Sequence, residues 1–455
     1  MPTVSDLSDV YAHVDAHADE YVAMLQALLR QPSVAAQGVG MAETAAMVEG
    51  LLAGLGATVE AVTVPGAYPV VCAALPGRSA RTLAFYNHYD VQPAEPLELW
   101  DSDPWGAEIR DGRIWARGVA DNKGNIAARV AAIRAWQAVR GELPLRVRFV
   151  VEGEEEIGSP HIGAFAAARP DLVAADGCIW EFGGVDIDGR PLIHLGLKGI
   201  CYVELRAKGA RSDLHSSVAT SVPNPAWRLV WALASLKGPD ERVLIPGFYD
   251  KVVPPTADEL AMLAAMPDTE AKRREQYGID AFLLGLTGDE LRRRDYFEPT
   301  CTISGLLSGY TGPGSKTVLP NRAMAKVDMR LVKDQDPEEI FRLLRAHLDR
   351  LGFTDIEAEL LGPEHPGRSA PDSAIARVAV ETARELYGAE PVVVPTSAGS
   401  GPWYELADRF GIPAVTAGVG HARSDAHAPN ENVYVDHFLL GIKHVCAIME
   451  GFAAT

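Results

Sequence analysis

The sequence predicts an α/β domain with a largely buried sheet, interrupted by a ferredoxin-like α+β module. Three observations predict it. Strands alternate with helices from the first helix to Gly199, the pattern of an α/β domain. After Gly199 the order becomes β-α-β-β-α-β. Past the GPEHPG run at 362–367, alternation of helix and strand returns. The chain has 455 residues, too many for one ordinary core, so two or three domains are expected.

Residues 6–30 read as a helix, with Val22, Leu25, Leu28 and Leu29 at helical spacing. Residues 43–55 read as a second helix, ended by Gly56. Strands are expected at 58–64, 69–75 and 82–87, a helix at 127–138 and a strong apolar strand at 145–152. In the interrupting module, alternation marks a strand at 200–208, and Asn224-Pro225 opens a helix reaching 236. A charged helical stretch covers 256–294. Strands at 300–307 and 322–331, an amphipathic helix at 337–351 and a short strand at 355–361 follow. The 362–367 run reads as a linker back to the first domain. A helix at 373–386, strands at 391–395 and 412–417, and a closing helix at 436–452 complete the chain.

Composition narrows the function classes. Hydrophobic residues make up 47% and charged residues 23%, as in a soluble globular protein. The formal net charge of −19 opposes binding to nucleic acid or to anionic membranes. The polar first 20 residues lack the pattern of a secretory signal, and no apolar run is long enough to span a bilayer. Cys72, Cys178, Cys201, Cys301 and Cys446 are scattered, without a CxxC pair, which points to single buried thiols in a reducing cytoplasm.

Five segments carry candidate chemistry. In NHYDVQP (87–93), His88 follows a strand, and Asp90 is placed to hold its other ring nitrogen. Read alone, it is also a loop histidine with an Asx-turn Asp. In RGVADNKG (117–124), Asp121 lies between a strand and a helix, where it can bridge two cations or serve as a helix cap. EGEEEIGS (152–159) sets four acids in five positions after an apolar strand, a costly arrangement unless positive charge compensates. Divalent ions would resolve it, leaving one carboxylate as ligand and its neighbour as base. Glu181 follows the apolar run 177–180, and His427 lies in DAHAPNE (425–431) after the strand at 412–417. As a set, His88, Asp121, Glu156, Glu181 and His427 offer two imidazoles and three carboxylates without thiolate. That donor set suits two ions of Zn²⁺, Mn²⁺ or Co²⁺, with Glu155 left as general base.

These motifs, in this order, resemble the co-catalytic zinc peptidases that include carnosine dipeptidases, bacterial dipeptidases, glutamate carboxypeptidase, acetylornithine deacetylase and succinyl-diaminopimelate desuccinylase. The resemblance runs from the first helix to the last, and the WDSDPW run at 100–105 is most similar to the dipeptidase branch. It implies a catalytic domain with a central mixed sheet flanked by helices. It further implies that His88 and His427 bind one metal each, that Asp121 bridges them beside a cis peptide to Asn122, and that Glu156 and Glu181 complete the two sites. Glu155 would take a proton from water and return one to the leaving amine, and Asp90 would orient His88. In RSDLHS (211–216), His215 resembles the histidine that stabilises the oxyanion, often across a dimer interface. Arg330 resembles the arginine that clamps a substrate carboxylate, and Gly399 and Ser400 lie in the loop that meets the substrate's C-terminal part. Glu181 stands where Asp accompanies dipeptidase specificity and Glu accompanies aminoacylase and carboxypeptidase specificity.

The expected organisation is a catalytic domain of 1–197 plus 366–455, with a lid and dimerisation domain at 198–365. The expected function is metal-dependent, chiefly zinc-dependent, cleavage of the amide bond in dipeptides or small peptides by a cytoplasmic homodimer, with no nucleic-acid or membrane partner. The alternatives are deacylation of N-acyl amino acids or carboxypeptidase action within the same family, and a non-catalytic metal-binding scaffold.

Overall fold

The computed structural model describes residues 6–455. The chain forms two compact units. One comprises the described residues up to Gly196, with Arg368–Ser397 and Pro402–Thr455; the other comprises Leu197–Gly367 with Ala398–Gly401.

The first unit is built on a mixed six-stranded sheet. Its order is Thr58–Val62, Val70–Leu75, Leu145–Glu152, Ser79–His88, Gly177–Trp180 and Ala414–Thr416. The last four strands run parallel, and the first two are antiparallel additions at one edge. Val147, Phe149, Val150 and Val151 are buried, as are Leu83, Phe85 and Tyr86 on the neighbouring strand. Such near-continuous apolar runs belong to strands covered on both faces. The helices Lys123–Arg140, Ala374–Tyr387 and Val435–Ala453 supply cover. The parallel strands end together, so His88 and Glu152, partners in the ladder, open the same rim from which Glu181 also departs. Ligand sites in open α/β sheets lie at this carboxyl rim.

Glycine makes the close approaches at the rim. A Cβ on Gly153 would fall 2.4 Å from the Tyr89 ring, and one on Gly118, at φ +86°, would fall 2.6 Å from Val91 Cγ1. Both loops therefore need a residue without a side chain.

The second unit carries a four-stranded antiparallel sheet in the order Thr302–Ser308, Arg322–Leu331, Gly199–Lys208 and Glu357–Glu364. Numbered along the chain this is 2-3-1-4, the ferredoxin-like arrangement. The alternation is strict: Cys201, Val203, Leu205 and Ala207 face the core with Ala323, Ala325, Val327, Met329 and Leu331. The helices Pro225–Ala234 and Pro337–Arg350 pack on that face, through residues such as Leu229, Leu344 and Leu348.

Three element readings change. The helix expected at 6–30 breaks at His17, whose Nδ1 lies 2.9 Å from the His13 carbonyl oxygen and whose ring stacks on His13. The charged stretch at 256–294 is three helices, Ala257–Ala265, Glu270–Tyr277 and Gly288–Phe297, separated where Pro267 and the positive-φ residues Gly278, Leu284 and Gly285 interrupt the helical backbone. Part of the 362–367 run belongs to the sheet, not to a linker. The strand extends to Glu364, and a register shift with Gly362 at φ +54° carries it past the Gly-Pro pair to meet Ile200.

Candidate metal centre

His88 ends its strand fully buried. Its Nε2 lies 2.9 Å from Asp121 Oδ1. The other oxygen of Asp121, Oδ2, lies 3.0 Å from His427 Nε2, which in turn is 3.1 Å from Glu156 Oε2. Asp121 thus stands between the two imidazoles. Two ligand groups share it: His88, Asp121 and Glu181, and Asp121, Glu156 and His427, each with donor atoms within 4.8 Å of one another. Glu155 Oε2 is 4.0 Å from His88 Nε2. All five ligand-type residues, with Glu155 and Asp90, lie in the first unit.

The surroundings fix these side chains. Asp121 and Asn122 are joined by a cis peptide bond. Asn122 donates to the Glu181 backbone oxygen at 2.7 Å and to its Oε2 at 3.1 Å. Gln92 donates to Glu156 Oε2 at 2.9 Å. Asp90 touches more than His88. One oxygen lies 3.3 Å from His88 Nδ1, and its two oxygens accept from the backbone N–H of Glu155 at 3.3 Å and of Glu156 at 3.0 Å. One buried carboxylate therefore positions a histidine and the turn that carries two glutamates.

The four acids of EGEEEIGS divide. Glu154 turns away to accept from the Tyr68 N–H at 3.2 Å and to face His161 Nδ1 at 2.8 Å. Glu152 accepts from the hydroxyls of Tyr86 at 2.7 Å and Ser159 at 3.0 Å. The crowding read from the sequence is thus relieved mostly by rotation about the strand end. Only Glu155 and Glu156 face the cluster.

Burial and the nearby charge of Asp121 raise the Glu181 carboxyl to about 8. Burial likewise lifts Glu155 well above the carboxylate range. Hydrogen bonds to Asp121 and Glu156 raise His427 to about 10, and those to Asp121 and Asp90 overcome burial to raise His88. Burial and the neighbouring carboxylates thus favour the protonated forms of Glu155 and Glu181, and the same carboxylates favour the charged imidazoles of His88 and His427. Glu156 Oε1 is buried without a hydrogen-bond partner. A buried carboxylate oxygen with no donor, beside a carboxylate shared by two imidazoles, fits divalent cations of the N/O-preferring kind. All five cysteines are unpaired and buried, and none belongs to either ligand group.

In the second unit, His215 pairs through its short strand with Val318. Its Nδ1 accepts from the Ser217 N–H at 3.2 Å, which leaves the proton on Nε2, 3.3 Å from Thr317 Oγ1. Arg330 Nη1 donates to Ser400 Oγ at 2.7 Å, and Gly399 precedes Ser400 in the segment Ala398–Gly401 that belongs to this unit. Sequence reading assigned no role to Gln92, Asn122, Arg117, Thr317 or Glu431. Gln92, Arg117, Asn122 and Glu431 lie within the segments 87–93, 117–124 and 425–431, and only the folded backbone shows what they hold. Among the described residues no helix is long and apolar enough to cross a membrane.

Comparison with known proteins gives concordant matches. The profile of Peptidase family M20/M25/M40 matches residues 84–451. The Cys-Gly metallodipeptidase dug1 of Schizosaccharomyces pombe is 27% identical, over 98% of this chain and 98% of that protein. The Beta-Ala-His dipeptidase of Mus musculus is also 27% identical, over 85% of this chain and 84% of its own length. Among solved structures, the M20 family metallo-carboxypeptidase Sso-CP2 from Sulfolobus solfataricus superposes with a TM-score of 0.91 at 38% identity, covering 96% of this chain and 100% of that one.

Proposed function

This chain belongs to peptidase family M20/M25/M40, and from that membership and the geometry of the cluster we propose a metal-dependent dipeptidase. The observation that carries the reading is Asp121 standing between His88 and His427 with Glu155 beside them. His88, Asp121 and Glu181 would hold one ion, and Asp121, Glu156 and His427 the other, with zinc preferred and manganese or cobalt compatible. When bound, the two cations acidify water and polarise the scissile carbonyl.

The chain's own residues do the rest. Glu155 accepts the proton of the attacking water on a carboxylate oxygen and hands it to the leaving amine nitrogen. Asp90 holds the Glu155 turn in place for that transfer. His215, with its proton on Nε2, donates to the negative charge that builds on the carbonyl oxygen. Arg330 pairs with the substrate's free carboxylate, and Ser400 braces its guanidinium. Gly399 is assigned to backbone contact with the same end of the substrate. The segment 198–365 is read as a lid and dimerisation domain inserted in a catalytic domain of 1–197 and 366–455, in a cytoplasmic homodimer. Light scattering of the purified protein tests the dimer.

The activity test is a panel of dipeptides, including Cys-Gly and β-Ala-His, beside N-acetyl amino acids and longer peptides, with and without chelator. Dipeptide hydrolysis that chelator abolishes is expected. Turnover confined to N-acetyl amino acids, or C-terminal trimming of long peptides with dipeptides untouched, overturns the dipeptidase reading.

A further inference from the structure

Glu431 is fully buried and touches no reacting position, yet its carboxylate accepts four hydrogen bonds. Oε2 accepts from Arg117 Nη1 and from the Gly118 N–H, both at 2.8 Å. Oε1 accepts from the N–H of Ala120 at 2.8 Å and of Asp121 at 3.0 Å. Its backbone oxygen also accepts from the Ala116 N–H at 3.1 Å. The loop that presents Asp121 is thus wrapped around one carboxylate.

The same residue anchors a second loop. Glu431 lies four positions after His427, in a segment where Asp425, His427 and Asn430 all have positive φ, at 52°, 65° and 65°. Asp, His and Asn are the non-glycine residues that enter this region most readily, and three of them within six positions turn the loop tightly. Glu431 at one end, with Asn432 donating its N–H to the Ser424 carbonyl at 2.9 Å, closes that loop on itself. Arg117 adds a third connection: its Nη2 donates to the Pro93 carbonyl at 3.3 Å, at the end of the loop that begins with His88. The loops bearing His88, Asp121 and His427 all meet at the Arg117–Glu431 pair.

We infer that Glu431, with Arg117, is a positioning residue that sets the spacing of His88, Asp121 and His427 for the cations. The inference rests on the proposed reading of those three as ligands. The chemistry requires a carboxylate: four N–H donors converge on two oxygens, and an amide would turn one acceptor into a donor facing donors. Groups that orient metal ligands in this way typically change affinity by about 10–100-fold when replaced.

The test titrates Mn²⁺ and Zn²⁺ into chelator-stripped wild type, Glu431→Gln, Arg117→Lys and His88→Ala, with circular dichroism to verify folding. Glu431→Gln is expected to bind about 10–100-fold more weakly. Arg117→Lys is expected to lose less, because three backbone N–H bonds to Glu431 persist. A purely structural role would lower the melting temperature and leave the affinity of the folded protein unmoved. Folded Glu431→Gln with affinity within about twofold of wild type, well inside the 10–100-fold expected, overturns the inference. If Glu431→Gln does not fold, Arg117→Lys decides: weaker binding supports the inference, and unchanged binding overturns it. If wild type binds neither metal, or His88→Ala binds as wild type does, the metal reading falls and takes this inference with it. If His88→Ala is weakened and Glu431→Gln is not, only the inference falls.

Discussion

Glu155 and Glu156 are adjacent in the chain and enter the same cluster, but their surroundings separate their roles. Glu156 lies against His427 and receives Gln92, whereas Glu155, among the described residues, receives no side-chain hydrogen bond and lies 4.0 Å from His88. A group that moves a proton has to be free of fixed donors, so replacing Glu155 should remove chemistry and leave binding intact. Glu155→Gln is expected to retain both ions by elemental analysis and to lose about 10²–10⁴-fold in kcat. A variant with normal turnover would remove Glu155 as base. Arg330 makes a different case, since its proposed role is to grip substrate and not to react. Arg330→Lys loses the planar fork and should raise KM for dipeptides about 10–100-fold, with little effect on hydrolysis of C-terminally amidated analogues. Equal losses on both substrates would show that Arg330 does not bind the carboxylate. The ligand-type residues were legible in the sequence because His, Asp and Glu after apolar strands are costly unless used. The orientations of Glu152 and Glu154 were not, because a two-residue period stops at the end of the strand and the loop backbone decides where each side chain points.

Strands and helices were readable wherever burial imposes a period. The strand Arg322–Leu331 alternates without exception, and Leu145–Glu152 starts and stops where its apolar run does. Reading failed where side chains act on the backbone, as at His17, and at Glu364, where a strand continues through a Gly-Pro pair that resembles a linker. Glu364 carries a measurable consequence. Its Oε2 is buried without a donor, and burial raises its pKa from 4.5 to about 7, with Arg330 offsetting part of the rise. Between those two values the folded chain holds a proton that the unfolded chain has released, so stability falls as pH rises through this window. Above the upper value the full cost is present, on the order of 3 kcal/mol. Glu364→Gln should therefore be more stable than wild type at pH near 8, and the gain should vanish near pH 4, as read by denaturant melts. The same difference at both pH values would mean that Glu364 is solvated when folded.

At the scale of the whole chain, each unit has its own sheet and its own core, and the ligand-type residues around Asp121, with Glu155, belong to the first unit. Cations that bind the folded first unit stabilise it by mass action, about 2.7 kcal/mol per site at a hundredfold excess over Kd. The segments that gain are those tied to the ligands: the rim residues at 87–93, the loop at 117–125, the turn at 152–159, the strand end at 180–184 and the loop at 424–432. The ferredoxin-like sheet of the second unit holds no member of either ligand group, so it has no direct share in that gain. Removal of metal should thus act unevenly along the sequence. Hydrogen exchange of the chelator-treated protein is expected to speed up in those five segments and to leave 201–207 and 323–331 unchanged. Exchange that rises equally in both sheets would mean that stripping unfolds the chain as one body. Exchange that changes in neither would mean that the cluster around Asp121 takes no cation, however well its side chains converge.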